Sequence, residues 1–136
     1  MLVETAVQTR SFAATPDRIP ELDDWIERTG AAWRVREDVL FRGRVCVAEI
    51  AANLLEHGRA EAADEPMTVT LQTDGAALEI EVTDGGHAFD PTASSAVTEA
   101  PDSLGGRGLR LLRAYAAMSY RRDGGHNIVR LRVAPP

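Results

Sequence analysis

"MTVTLQTDGAALEIEVTDGGHAFDP" runs from Met67 to Pro91, and up to Asp84 it alternates apolar and polar side chains on either side of an Asp74-Gly75 pair. A period of two marks half-buried strands, and Asp-Gly between two such runs marks a hairpin lying on a core. The second strand ends on an acid and two glycines, Asp84 to Gly86, followed by a Phe89-Asp90-Pro91 turn. Gly and Asp-Pro are ordinary turn residues, so taken alone the stretch fits a tight connection. Its surroundings decide whether the acid has another role.

Upstream, "REDVLFRGRVCVAEIAANLLEHG" (Arg36 to Gly58) carries Leu40, Val47, Ile50, Ala51 and Leu54 in one apolar stripe and ends on a glycine, the pattern of a long helix. Leu2 to Phe12 alternates weakly as a first strand. Pro16 and Asp17 start a helix from Ile19 to about Trp33, with an interruption expected at Gly30. Downstream, Gly85 to Leu104 holds small and polar residues with Pro91 and Pro101 and reads as a loop, its part from Thr92 to Leu104 as a lid. A Gly-led helix, "GGRGLRLLRAYAAM" (Gly105 to Met118), follows, then a second hairpin of "SYRR" and "IVRLRV" around "DGGHN". Hairpins with helices between them imply an α+β fold: a two-layer sandwich of a mixed, mostly antiparallel sheet with helices on one face, formed as a single domain over residues 1–136.

Composition removes several chemistries. All 15 basic residues are arginine, so a Schiff-base lysine, a P-loop lysine and the strand lysine of eukaryotic-type protein kinases are all missing. Cys46 is the one cysteine, which excludes an intrachain disulfide and cysteine-based metal motifs and reads as a core residue. His57, His87 and His126 lack paired ligand spacing. A net charge of -6 disfavours direct contact with nucleic acid or an anionic membrane. No apolar run approaches a membrane span, and an acid at position 4 is unlike a signal-peptide start, so the expected location is the cytoplasm.

Three clusters carry chemistry. In "EIAANLLEHG", Glu49, Asn53 and His57 stand at i, i+4 and i+8 and share one helix face, expected to lie roughly opposite the apolar stripe. A solvated polar face is the plain reading, although Val45, Cys46, Ala48 and Ala52 beside it are small or apolar. The second cluster is the Asp84 turn. The third is "GGRGLRLL" (Gly105 to Leu112), where a glycine-led helix start leaves backbone N–H groups free for an anion, or serves as a flexible turn into a helix.

Together and in this order, "EIAANLLEHG", "DGGHAFDP" and "GGRGLRLL" resemble the nucleotide-binding domain of the GHKL superfamily of gyrase, chaperone, histidine kinase and mismatch-repair ATPases. Within it they look most like the anti-sigma-factor serine/threonine kinases, and the likeness extends to the final "DGGHNIVRLRV" hairpin. The resemblance implies ATP and Mg²⁺ as ligands. By it, Asp84 accepts the exocyclic amine of adenine, Gly86 lets base and ribose approach the backbone, and Ala88 is a further cofactor-binding position. Asn53 binds Mg²⁺, and Glu49 orients or deprotonates the attacking hydroxyl. Gly105, Gly106, Gly108 and Leu109 hold the phosphates, with Arg107 offsetting their charge. Ala88 and Arg110 stand where many relatives carry glycine, and His57 packs at the helix end and is not a phosphoacceptor.

The expected function is that of an anti-sigma factor and protein serine/threonine kinase, moving the ATP γ-phosphate to Ser or Thr of an anti-anti-sigma factor of the STAS type and sequestering a sigma factor. Homodimers are common in that family. The competing reading is a nucleotide-gated binding module without phosphotransfer, which has no need of Glu49. A histidine kinase would need a helical hairpin bearing its phosphoacceptor, and a gyrase-type ATPase a transducer domain.

Overall fold

In a computed structural model the protein is described over residues 6–58, 65–93 and 104–136, with backbone alone at 57–58 and 104–109. Strand β1 (Ala6–Phe12) leads through a short 3-10 turn, Pro16–Arg18, into α1 (Ile19–Ala32) and α2 (Glu37–Asn53). One turn of π-helix, Leu54–Gly58, extends α2. Then come β2 (Met67–Thr73), β3 (Leu78–Asp84), α3 (Leu104–Tyr115), β4 (Ala117–Asp123) and β5 (His126–Val133).

The five strands form one sheet in the order β1-β2-β3-β5-β4. The expected α+β sandwich is present, and every neighbouring pair is antiparallel, so the sheet is antiparallel throughout where a mixed one was expected. The strand that follows the α3 crossover, β4, runs in the direction of β3, but its hairpin partner β5 sits between them and removes the parallel pair. Met67, Val69 and Leu71 of β2, Leu78, Ile80 and Val82 of β3, and Val129, Leu131 and Val133 of β5 face the helices and are buried. Leu22, Trp25 and Ile26 of α1 and Val39, Leu40, Cys46, Val47 and Ile50 of α2 complete that core. The opposite sheet face carries polar ladders, Thr9 to Thr70 at 3.0 Å, Ser11 to Thr68 at 3.0 Å and Arg130 to Glu81 at 3.0 Å, as the alternation requires. The helices clasp each other through Arg44 of α2, which forks onto both carboxylate oxygens of Asp23 at 3.0 and 2.8 Å.

Several boundaries differ from the expectation for local reasons. The part of the expected first strand at positions 2–5 lies outside the described residues. Gly30 does not interrupt α1: it is buried, and a Cβ there would run into the side chain of Leu40, so the glycine serves helix packing. The helix stops just beyond it, where Arg34 takes φ 58 and the amides of Arg34 and Val35 bond back to Ala31 (3.0 Å) and Gly30 (3.0 Å), the Schellman arrangement with arginine at the left-handed position. Ala117 and Met118 belong to β4, because Met118 packs against the core opposite Leu131. Residues 94–103 of the expected lid fall outside the description.

The β4–β5 turn narrows to Gly124 and Gly125, both at positive φ (57 and 81), the backbone of a two-residue turn whose twist matches the strands. No atom lies within 4 Å of a Cβ placed on Gly125, so Gly125→Ala meets only the backbone penalty. It should lower stability by about 1 kcal/mol in urea unfolding, with Gly125→Asn losing less. Burial pushes the Cys46 thiol up to about 11 from its ordinary 9.0. The unfolded chain releases that proton near pH 9 while the folded chain keeps it, so stability is whole below pH 9 and falls as pH rises towards 11. Between pH 8 and 10.5 the parent should lose roughly 1–2 kcal/mol more than Cys46→Ala in the same unfolding measurement.

Candidate functional site

Inward-facing rows of β3 and β5 both end in a polar residue. On β3 the row Leu78, Ile80, Val82 closes on Asp84; on β5 the row Val133, Leu131, Val129 closes on Asn127. Register places Asp84 opposite Asn127, and Asn127 opposite Arg122 of β4, so one polar rung crosses three strands at the end of the sheet. Asp84 is 6% exposed and Asn127 4%, a depth at which polar groups need partners.

Asn127 supplies them. Its Nδ2 donates to Asp84 Oδ1 at 3.0 Å and to the His87 carbonyl at 2.8 Å. Its Oδ1 accepts from the Tyr120 hydroxyl at 2.6 Å, Arg122 Nη1 at 3.1 Å and the Phe89 amide at 3.3 Å. Arg122 also donates to the Gly86 carbonyl at 2.7 Å. Gly86 closes the turn by donating its amide to Asp84 Oδ1 at 2.9 Å. Both bonds to Asp84 land on Oδ1, and among the described residues Oδ2 takes none. A Cβ on Gly85 would displace the exposed Glu65 carboxylate, which His126 Nε2 holds at 2.8 Å.

The helix layer closes over this rung to make a cleft. Ile50, Asn53 and Leu54 form one wall, Asp84, Asn127 and Val129 the floor, and His87, Phe89 and Pro91 the rim. Asn53 is 6% exposed, and its Nδ2 is buried with no hydrogen-bond partner among the described residues. This corrects the face expected for it: Asn53 lies seven residues after the buried Cys46, about 20° away around the helix, and sits beside the apolar stripe. The two amide atoms of Asn53 exchange by a half-turn, so the side chain brings one unsatisfied polar atom, donor or acceptor, to the cleft wall. A wider groove on the other sheet face, by Glu79, Glu81, Arg130 and Arg132, has its charges paired across strands.

The expected site residues divide accordingly. Asn53 and Asp84 meet in the cleft, and Gly86 is bonded to Asp84. Glu49 is half-buried on α2 one turn before Asn53, outside the cleft wall, and Ala88 is exposed on the rim turn. Gly105, Gly106, Arg107, Gly108 and Leu109 make up the start of α3, which packs on α2. In a helix beginning at Leu104, the amides of Gly105 and Gly106 have no intrahelical partner while those of Gly108 and Leu109 enter the ladder. The π turn ends the 3.6-residue period after Asn53, so the third member of the face, His57, is offset, and its side chain lies outside the described ones. Asn127, Tyr120 and Arg122 were not singled out by sequence, and Phe89 was read only as a turn residue. The available signal was Asn127, a polar residue at the end of the alternating inward row that continues through Val129 and Leu131.

The sequence model of the family described as "Histidine kinase-like ATPase domain" matches residues 12–133. Among solved structures, the chain is similar to the histidine kinase domain of the Erythrobacter litoralis EL346 blue-light activated histidine kinase, at TM-score 0.54 and 18% identity, over 87% of this chain and 59% of that one. It is similar also to the Acinetobacter baumannii histidine kinase AdeS, at TM-score 0.52 and 11% identity, over 95% of this chain and 68% of that one. These likenesses concern the fold. The comparison with curated proteins finds no match. Among the described residues no helix is long and apolar enough to cross a membrane.

Proposed function

Because the chain belongs to the histidine kinase-like ATPase domain family, we propose that it is an ATP-dependent protein serine/threonine kinase that phosphorylates an anti-anti-sigma factor of the STAS type and sequesters a sigma factor when that antagonist is phosphorylated. Domains of this GHKL type bind ATP, usually with Mg²⁺. The observation that carries the reading is that Asn53, whose buried Nδ2 has no partner among the described residues, lines the same cleft as Asp84, whose Oδ2 takes no bond from them. Polar groups placed to meet a ligand have this pattern, whereas a packed core pairs its buried polar groups.

The residues suit the ligand. Asp84 lines the cleft, and its Oδ2, an acceptor with no bond among the described residues, is suited to the exocyclic amine of adenine. Asn53 would hold Mg²⁺ through its side-chain oxygen, and the ion's chemistry there is to offset phosphate charge. The amides of Gly105 and Gly106 at the start of α3 are suited to the phosphates, with Arg107 as a charge partner in place of lysine. Glu49 is one turn from Asn53 and half-buried. There its carboxylate is suited to accept the proton of an incoming Ser or Thr hydroxyl as that oxygen attacks the γ-phosphorus and ADP leaves. The assignment to Ser or Thr and the identity of the partners rest on the sequence resemblance.

Incubation with labelled ATP, Mg²⁺ and small STAS-type proteins tests the whole reading, and absence of labelled partner with ATP bound would favour a nucleotide-gated binding module. Asp84→Asn should weaken ATP binding by about 1–3 kcal/mol in calorimetry. With Oδ1 fixed by two donors, the new NH₂ group must face the cleft and meet the adenine amine donor to donor. Glu49→Ala should leave ATP affinity nearly intact while phosphotransfer falls about a hundredfold or more. Asn53→Ala should lose Mg²⁺-dependent binding and turnover together. Parental transfer rates in the Glu49 variant would remove that residue from the chemistry.

A further inference from the structure

Asn127 uses every hydrogen-bonding capacity it has. Both N–H donors are spent, on Asp84 Oδ1 and the His87 carbonyl. Its oxygen faces three donors: the Tyr120 hydroxyl, Arg122 Nη1 and the Phe89 amide. Turning the amide over would set NH₂ against two N–H donors and the hydroxyl, so its orientation is fixed by its surroundings. No other side chain of its length repeats the set: aspartate lacks the donors, and a threonine hydroxyl has only one. The consequence falls on Asp84, since a carboxylate is symmetric until one oxygen is claimed. Asn127 and the Gly86 amide claim Oδ1.

We infer that Asn127, braced by Tyr120 and Arg122, is a positioning residue that makes the cleft specific for a purine carrying an amino group at position 6. The inference rests on the nucleotide-binding reading above. Asn127 acts through Asp84: it leaves Oδ2 as the sole atom offered to the base edge, and holds it still. An amino group donates to that oxygen, whereas the oxo group of hypoxanthine or guanine is an acceptor and is repelled. The same pinning converts Asp84→Asn into a reader of the opposite edge, because the amide oxygen must take the place of Oδ1 between its two donors and its NH₂ must face the base.

The test is calorimetry with ATP and inosine triphosphate, read as the ratio of the two affinities. A loosened fold weakens both nucleotides alike; lost positioning changes their ratio. The parent should prefer ATP by at least about tenfold, Asp84→Asn should reverse the order, and Asn127→Ala should bring the ratio to within about threefold of unity. Should Asn127→Ala unfold, as thermal melting would report, Tyr120→Phe and the surface variant Arg122→Ala each withdraw one donor from Asn127 and should reduce the ratio by a smaller amount. An unchanged ratio in Asn127→Ala, or in both substitute variants if it is unfolded, overturns the positioning role, and so does an Asp84→Asn protein that still prefers ATP. A parent that binds neither nucleotide overturns the functional reading together with this inference, so the two failures are separable.

Discussion

A carboxylate at the closed end of a buried sheet row is tolerated only if the neighbouring strands bring donors to it, and the architecture at this end of the molecule answers that need. Asp84 is almost fully covered. Left unpaired, such a group would cost several kcal/mol or give up its charge. Its partners come from its own turn, through the Gly86 amide, and from the adjacent strand, through Asn127. Asn127 in turn needs donors for its oxygen, which β4 provides. One buried acid therefore ties β3, β4, β5 and the turn to Phe89 into a single hydrogen-bonded unit.

The helix layer is complementary in its polarity. Helix α2 packs on β3 and β5 through an apolar stripe, and only at its last turn does it present an amide, Asn53, to the same end of the sheet. There the chain changes from α to π geometry, a change often found next to functional sites because it turns a side chain away from the regular period. The cleft thus sits where the regular packing of both layers ends, with Phe89 and Pro91 closing the rim.

Local signals made much of this legible. Alternation placed β2 and β3, the Asp-Gly pair placed the turn between them, and the acid at the end of β3 was readable as a site only through its occurrence with the Asn53 helix and the glycine-led helix start. The spacing of Glu49 and Asn53 was readable too, but not the side of the helix that is buried: the stripe was drawn through Ile50 and Leu54, and Cys46 and Gly43 extend it towards Asn53. Asn127 was not legible as a partner of Asp84. That contact joins residues 43 positions apart and exists only once β5 has inserted between β3 and β4, an arrangement that no local pattern specifies. The break expected at Gly30 failed for the same reason, since its cause, Leu40 of the next helix, is tertiary.

The two-glycine turn between β4 and β5 has an influence far larger than its size. Strand side chains alternate, so one residue added to or taken from that turn would slide β4 against β5 by one place and exchange the faces of everything beyond it. Arg122 and Tyr120 would turn to the solvent side, and Arg121 would swing inward beside a hub that had lost two of its three donors. The length of a surface turn, carrying no chemical group of its own, thereby sets which side chains reach Asn127 at the middle of the rung. A change of turn length would then rearrange the floor of the cleft without touching a residue that lines it.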